Sequence, residues 1–403
     1  MSAPAPFLDV EAPGFSMHSE EVARAREQSW YAHTPYGLAI LRYAEIAKLV
    51  KDPRLNQGSA RWPAHNGVTM GPFADWWSRI LLCREGMDHA RLKRLVTPAF
   101  SQRTLAPLTP AFERLAHEII DGFAARGRCE FMADFSEPYA TRVVTLLLGI
   151  PDEDWRFIAD LAAVMGIALG VNFRQEVARI DAAVGQLFDY SDRLIAARRA
   201  RLTDDFLSQL VAANQDGDRL SDEELRDMVV LLIFGGIDTT RNQLSLGLKL
   251  FMDHPAQWEL LAARPELAPL AVEEVMRLAP TTTWVSREAA EDFSFQGLEI
   301  AKGTTVHLFA AAAGGDRDAY GDAGFDITAK RPPHYGFGGG IHYCLGHAVA
   351  RSDMAVAFKA MSARLTDLAL DGPASWLPDS GNTGAEVLPL RFGLRPAAAT
   401  RQN

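Results

Sequence analysis

The chain is poor in cysteine, in basic charge and in long apolar runs, and each shortage argues against a class of function. Its 403 residues hold three cysteines, Cys83, Cys129 and Cys344, widely spaced and odd in number, a pattern that argues against a disulfide framework. Lysine and arginine (41) are outnumbered by aspartate and glutamate (51), leaving a net charge of −10, whereas a nucleic-acid binder carries a basic face. No apolar run approaches the ~18 residues needed to span a bilayer. The best is Val229–Ile237, so no membrane association is expected. The start lacks the basic-then-apolar pattern of a signal peptide, which makes the cytoplasm the expected location. Repeats, low-complexity tracts and linkers rich in Pro, Gly or Ser are also missing. One domain over residues 1–403 is therefore expected, with 1–15 and 396–403 as loose ends.

What is present reads as helix for most of the length. Leu38–Arg42 predicts a strand and Tyr43 to about Lys51 a helix. From Thr109 to about Phe251, apolar residues recur at three- and four-residue spacing, which predicts mostly helix. Alternating segments around Phe293–Val306 and Val387–Leu394 predict short strands. The expected fold class is mainly α with small β-sheets, not an alternating parallel-sheet fold.

The most informative stretch is Phe337-Gly338-Gly339-Gly340-Ile341-His342-Tyr343-Cys344-Leu345-Gly346, followed by a helix from His347 onward. The glycines permit positive φ and let the backbone approach a flat ligand closely. A sulfur at a helix N-terminus meets the positive end of the macrodipole, which predicts a pKa lowered toward thiolate. Such a thiolate is a nucleophile or a metal ligand. Three other readings compete. A buried cysteine is commonly a small hydrophobe. His334, His342 and His347 make zinc conceivable, but no second cysteine lies near. A dinucleotide loop needs G-x-G-x-x-G within a βαβ unit, and neither is seen.

The pattern Phe-Gly-x-Gly-x-His-x-Cys-x-Gly, met by Phe337, Gly338, Gly340, His342, Cys344 and Gly346, resembles the haem-ligand loop of the cytochromes P-450, the haem-thiolate monooxygenases. The resemblance extends over nearly the whole chain. It implies the fold of that family with a long central helix over the haem, haem b as cofactor, and Cys344 as the iron ligand. The thiolate would push electron density toward O–O cleavage.

Three further constellations gain meaning from it. Gly235-Gly236-Ile237-Asp238-Thr239-Thr240 lies inside a helix expected from about Asp222 to Phe251. Two interior glycines cost about 1 kcal/mol each relative to alanine, and a Thr hydroxyl bonded back to a carbonyl bends a helix. On the residues alone this is a helix-packing notch or a local opening. By resemblance, Thr239 would hydrogen-bond the dioxygen being reduced and Asp238 would relay protons to it. Glu274-Val275-Met276-Arg277 is by itself an i,i+3 pair worth ~0.2–0.5 kcal/mol on an exposed face. The family sets this motif in a buried network behind the cysteine loop, a structural and not a catalytic role. His89, Arg287 and His342 match the family's haem-propionate partners, but Lys93 stands where Arg is usual and loses bidentate geometry. Gly315-Asp316-Arg317-Asp318 also departs from the family's usual Ala-Asn-Arg-Asp, with Asp316 still able to make the local turn.

The implied reaction inserts one oxygen atom of O₂ into a C–H bond or alkene, with two electrons from NAD(P)H. No cysteine cluster for iron–sulfur is present, so electrons would come from a separate ferredoxin and ferredoxin reductase. Arg91, Lys93, Arg94 and Arg351 form the expected cationic patch for an acidic partner. Pocket stretches in the family map to the region before His89 and to residues 165–173, 230–234, 281–285 and 384–387. They contribute Trp62, Phe73, Trp76, Trp77, Phe173, Phe234 and Trp284, which suggest an apolar or aromatic small molecule, although such rings are also ordinary core. Oxidative coupling, peroxide-driven oxidation or a non-catalytic haem sensor are the alternatives. The Asp238-Thr239 pair argues against the last two.

Overall fold

The computed structural model describes residues 4–396 apart from 171–172, 204, 216 and 380. Helices dominate, and the core follows from one of them, Asp222–Asp253. Its start is set by a reciprocal capping box: Glu224 N–H donates to Ser221 Oγ (3.1 Å) and Ser221 N–H to Glu224 Oε2 (2.8 Å). Asp222, Glu223 and Glu224 in the first turn complement the macrodipole. Beyond it, Val229, Val230, Ile233, Phe234 and Ile237 are buried, and the helices Glu137–Leu148, Trp155–Gly166 and Val177–Ala200 pack around them. The helix runs unbroken through Gly235-Gly236, so the expected local opening is absent. The two glycines divide the expected roles. A Cβ on Gly236 would lie 2.9 Å from Val144 Cγ2, which makes that residue the packing notch, whereas a Cβ on Gly235 would meet nothing within 4 Å.

A five-stranded sheet lies to one side, in the order Tyr31–Thr34, Gly37–Ile40, Thr305–Leu308, Val285–Ala289, Leu55–Gln57. Only the Gly37–Ile40 and Thr305–Leu308 pair is parallel, and no βαβ nucleotide fold arises. Arg128–Glu130, Leu365–Leu370 and Pro389–Leu394 make a second, three-stranded sheet. Residues 4–15 are not loose. Leu8 N–H donates to the His33 carbonyl, His33 N–H donates to that of Pro6, and Leu8 is 1 % exposed among Val22, Ala25 and Phe309. An open sheet edge offers unpaired backbone groups, and that edge fixes the segment. Residues 397–403 of the expected loose C-terminus lie outside the described residues. Among the described residues no helix is long and apolar enough to cross a membrane.

The Glu274–Arg277 pair sits on the helix Ala268–Leu278 with side chains 3 % and 1 % exposed. Arg277 Nε and Nη2 donate to the two carboxylate oxygens (2.7 and 2.6 Å), and its other donors reach the carbonyls of Gly314, Ala323 and Gly324. Asp326 N–H (3.1 Å) and Arg331 complete Glu274. This is the buried network, not the exposed pair. Asp316 does make its turn, accepting from Asp318 N–H (3.0 Å) and Tyr43 N–H (2.9 Å). Removing one member of a buried ion pair leaves the other charge unpaired, which costs about 3–5 kcal/mol. Glu274→Ala should therefore lower the thermal midpoint sharply and yield protein that incorporates little haem. A midpoint within experimental scatter of the parent would refute this accounting.

Candidate active site

The cysteine loop is shaped by two left-handed glycines, Gly338 (φ 69°) and Gly340 (φ 68°). At Gly340 a Cβ would sit 2.4 Å from the Val50 carbonyl oxygen, so the close approach needs glycine as much as the turn does. Phe337 is buried under the loop: its carbonyl accepts from Cys344 N–H (3.0 Å), and the Arg351 guanidinium lies 4.6 Å over its ring. The helix His347–Ser362 starts directly after Gly346. The expected depression of the Cys344 pKa is not found in the protein alone. Burial pushes the thiol up, and the amides of Gly346 and His347 with the cations Arg351 and Lys93 offset this only in part. The dipole falls short because desolvation of a bare thiolate is the larger effect. A bound cation at the sulfur reverses that balance.

His89, Lys93, Arg287 and His342 do come together. The rings of His89 and His342 are 4.4 Å apart, and Arg287 Nη2 donates to the carbonyl of Gly339 in the loop (3.3 Å). Arg287 is 2 % exposed, bonded otherwise to Gln57 Oε1 and the Ser286 carbonyl, and no carboxylate among the described residues pairs with it. Burial draws its pKa down to about 10, with Glu85 alone opposing. Burial, and to a lesser degree the nearby His342 and Lys93, bring His89 down to about 4. Glu85, which sequence reasoning missed, is the one carboxylate among the described residues that bonds to this group: it accepts from His342 Nε2 (3.2 Å) and from the Gln57 backbone. A pocket so short of negative charge suits a ligand bearing carboxylates. Lys93 turns to the Ile341 carbonyl of the loop and reaches none of the other three by a hydrogen bond among the described residues.

On the central helix, Leu231, Leu232, Gly235, Gly236 and Thr239 are half-buried amid buried neighbours, as are Tyr343, Cys344, Leu345 and Ala348 on the cysteine side. All but Gly235, Gly236 and Thr239 are apolar side chains packed on the same core cluster without being covered by it. Room at Gly235, a sulfur donor and a carboxylate-seeking cationic edge fit haem. Thr239 Oγ1 donates to the Gly235 carbonyl (2.6 Å). Asp238 accepts from Arg241 Nη2 (2.9 Å), Asn242 Nδ2 (3.2 Å) and Asn382 Nδ2 (2.7 Å). Zinc loses its support: His342 pairs with Glu85, His347 contacts Arg351, and among the described residues no group of three or more His, Cys, Asp or Glu is disposed to hold a metal.

Two expectations fail. Of the seven aromatics, Trp62, Phe73, Trp76, Trp77, Phe173 and Phe234 form one chain of ring contacts, but Trp284 does not join it; it stacks on Phe309 (5.4 Å, 15°) and packs on His307 beside the sheet. Phe73, Trp76, Trp77, Phe173 and Phe234 are buried, as core residues are, while Trp62, Ile167, Leu169 and Leu231 are half-buried against the same cluster. Residues 171–172 of the expected 165–173 stretch lie outside the described residues. The cationic patch is also largely neutralised: Arg91 pairs with Glu224 (2.6 Å) and Asp218 (2.9 Å), Arg94 with Asp218 (3.4 Å), and Arg351 with Glu273 (2.5 Å). The acids come from distant segments, so no local charge count could reveal them.

A family model described as Cytochrome P450 matches residues 168–263 and 263–362. The chain is 39% identical over 392 residues to the luteothin monooxygenase of Streptomyces thioluteus, covering 96% of each protein. It is 32% identical to the mycinamicin IV hydroxylase/epoxidase of Micromonospora griseorubida, covering 92% of this chain and 93% of that one. Its fold superposes on the cytochrome P450 PksS of the Bacillus subtilis 168 bacillaene polyketide synthase with a TM-score of 0.85 at 28% identity, covering 95% and 99% of the two chains. With the glycine-bounded cysteine loop and the cationic, carboxylate-poor edge already in place, these likenesses settle the assignment: the chain belongs to the cytochrome P450 family of haem-thiolate monooxygenases, whose cofactor is haem b.

Proposed function

We propose that this monooxygenase oxidises an apolar, polyketide-derived small molecule of secondary metabolism, with Cys344 holding the haem iron and the Asp238–Thr239 pair delivering protons. The observation that carries the site assignment is the buried Arg287, unpaired by any described carboxylate, beside the cysteine loop. Haem, when bound, supplies the iron that takes up and activates dioxygen. The Cys344 sulfur would hold that iron. His89, Arg287 and His342 would hold the propionates, and Lys93 braces the loop through the Ile341 carbonyl. Phe337, clamped under Arg351, keeps the loop rigid.

The Thr239 hydroxyl, now donating to Gly235 O, would hold a proton at the half-buried face of the central helix. Asp238 supplies it, and Arg241, which also lies 3.7 Å from Glu137 at the surface, leads outward toward solvent. The half-buried Leu231, Leu232, Ile167, Leu169 and Trp62 exclude water and orient an apolar substrate. The likeness to PksS, which is named for polyketide biosynthesis, supports the substrate class. Electrons come from NAD(P)H through a ferredoxin and its reductase in the cytoplasm. With Arg91 and Arg94 neutralised, Lys93 and the exposed Met87 and Ile341 are the elements of the docking face.

Three measurements test this. Reduced protein under carbon monoxide should show the thiolate-type Soret band, and Cys344→Ala should abolish it; an unchanged band would displace the sulfur from its role. In Thr239→Ala, NAD(P)H consumption should continue while product per NAD(P)H falls by about a hundredfold, the lower end of the 10²–10⁴ range for a lost acid–base group. Equal product yield would remove Thr239 from the relay. Luteothin or a panel of polyketides added to the ferric enzyme should shift the Soret band, and the absence of any shift with all of them would overturn the substrate class.

A further inference from the structure

The acid of the relay is gripped by a residue from outside its helix. Asn382 Nδ2 donates to Asp238 Oδ2 at 2.7 Å, the shortest of the three bonds on that carboxylate. Asn382 is itself oriented, since its Oδ1 accepts from Thr281 Oγ1 (2.9 Å), whose oxygen also lies 2.7 Å from the Thr383 carbonyl. Residues 281–283 and 381–383 pair as a short antiparallel bridge: Thr383 N–H donates to the Thr281 carbonyl and Thr283 N–H to that of Gly381, both at 2.8 Å. The bridge is bolted to the central helix one turn beyond Asp238. Thr281 N–H donates to Gln243 Oε1 (2.8 Å), Gln243 Nε2 to the Ala279 carbonyl (2.7 Å), and Ala385 N–H to Ser245 Oγ (3.0 Å). A Cβ on Gly384 would lie 2.5 Å from Asn242 Cβ, so this loop lies directly on the helix.

We propose that Asn382 is a positioning residue for proton delivery: it holds Asp238 turned away from Thr239, and it couples release of that carboxylate to movement of the loops at 281–285 and 381–387. This rests on Asp238 being the relay acid. Three donors hold the carboxylate, two of them on Oδ2, so turning Asp238 toward Thr239 breaks at least one of these bonds. Arg241 and Asn242 ride on the same helix as Asp238, whereas Asn382 moves with the loops. A substrate pressing on those loops therefore acts on the Asn382 bond first. The arrangement makes the acid available when the pocket is filled.

The test uses the holoenzyme without organic substrate, so it does not depend on which molecule the pocket takes. NADH is supplied through a surrogate ferredoxin and its reductase, and oxygen consumed is divided between hydrogen peroxide (two electrons and two protons per O₂) and water (four of each). Asp238→Ala should raise the peroxide share and change the solvent isotope effect on NADH oxidation. Asn382→Ala, which frees the carboxylate, should shift both in the opposite sense, by about tenfold or more in the ratio, as expected for one hydrogen bond to a charged group. The double variant should be no different from Asp238→Ala. An Asn382→Ala enzyme that behaves as the parent while Asp238→Ala does not, or two effects that multiply, would overturn the role of Asn382 alone. An unaffected Asp238→Ala would overturn the relay reading and this inference with it. Thr281→Val, which removes the hydroxyl orienting Asn382, repeats the test should Asn382→Ala fold poorly. Hydrogen–deuterium exchange of the resting enzyme gives a readout apart from turnover: Asp238→Ala should speed exchange at Thr383 and Thr281, and unchanged exchange would refute the mechanical link.

Discussion

The buried pair of Glu274 with Arg277 is the constraint on which the proximal half of the molecule depends. Two charges taken out of water must exhaust their hydrogen-bonding capacity or destabilise the fold. Arg277 does so on the carbonyls of Gly314, Ala323 and Gly324, and Glu274 on Asp326 N–H and Arg331. Much of the segment from 314 to 346 is neither helix nor strand, so its path is set by these charges and not by a hydrogen-bonded ladder. Glu273, the preceding residue, binds Arg351 on the helix behind Cys344. Burial would raise its carboxyl, but the His334 and Arg351 partners outweigh that and hold it at about 2. Consecutive carboxylates on one helix thus fix the chain both before and after the cysteine.

The same economy of charge separates the interior from the surface. Arg91 and Arg94 are matched outside by Asp218 and Glu224, and Glu224 also caps the central helix. Inside, Lys93 and Arg287 with the imidazoles of His89 and His342 gather beside Glu85, the one carboxylate among the described residues that contacts this group. A chain with net charge −10 has acid to spare. Its scarcity at this one edge is a local property of the site, and it is what fits a dicarboxylate cofactor. On the other side the acid is well supplied with donors: Asp238 accepts from Arg241 and Asn242 of its own helix and from Asn382 of a separate loop.

How much of this was legible beforehand varies by residue. The central helix, the strand at 38–40 and the helix at 347 follow from spacing and caps, which are local. The cysteine loop was legible because a tight turn with close backbone approach demands glycine at fixed positions, as Gly340 against Val50 confirms. Trp284 was misassigned because a large ring fits a pocket wall and a sheet-side stack equally well, and the choice depends on Phe309 and His307 coming alongside. The thiol's raised pKa was missed for a similar reason: a helix dipole can be read from sequence, but the depth of burial that outweighs it cannot.

By itself, then, the sequence determined the local geometry: where helices begin, where a sulfur follows a glycine turn, and which acid and alcohol lie side by side at 238 and 239. Only the tertiary structure decided which charges are spent on one another. Arg91 loses its freedom to Asp218 and Glu224, Arg287 keeps its charge unpaired by any described carboxylate, and Asp238 acquires Asn382 from 144 residues away. Propensity and capping act over a few residues of chain, whereas electrostatic pairing acts over a few ångströms of space, and the fold alone converts one distance into the other.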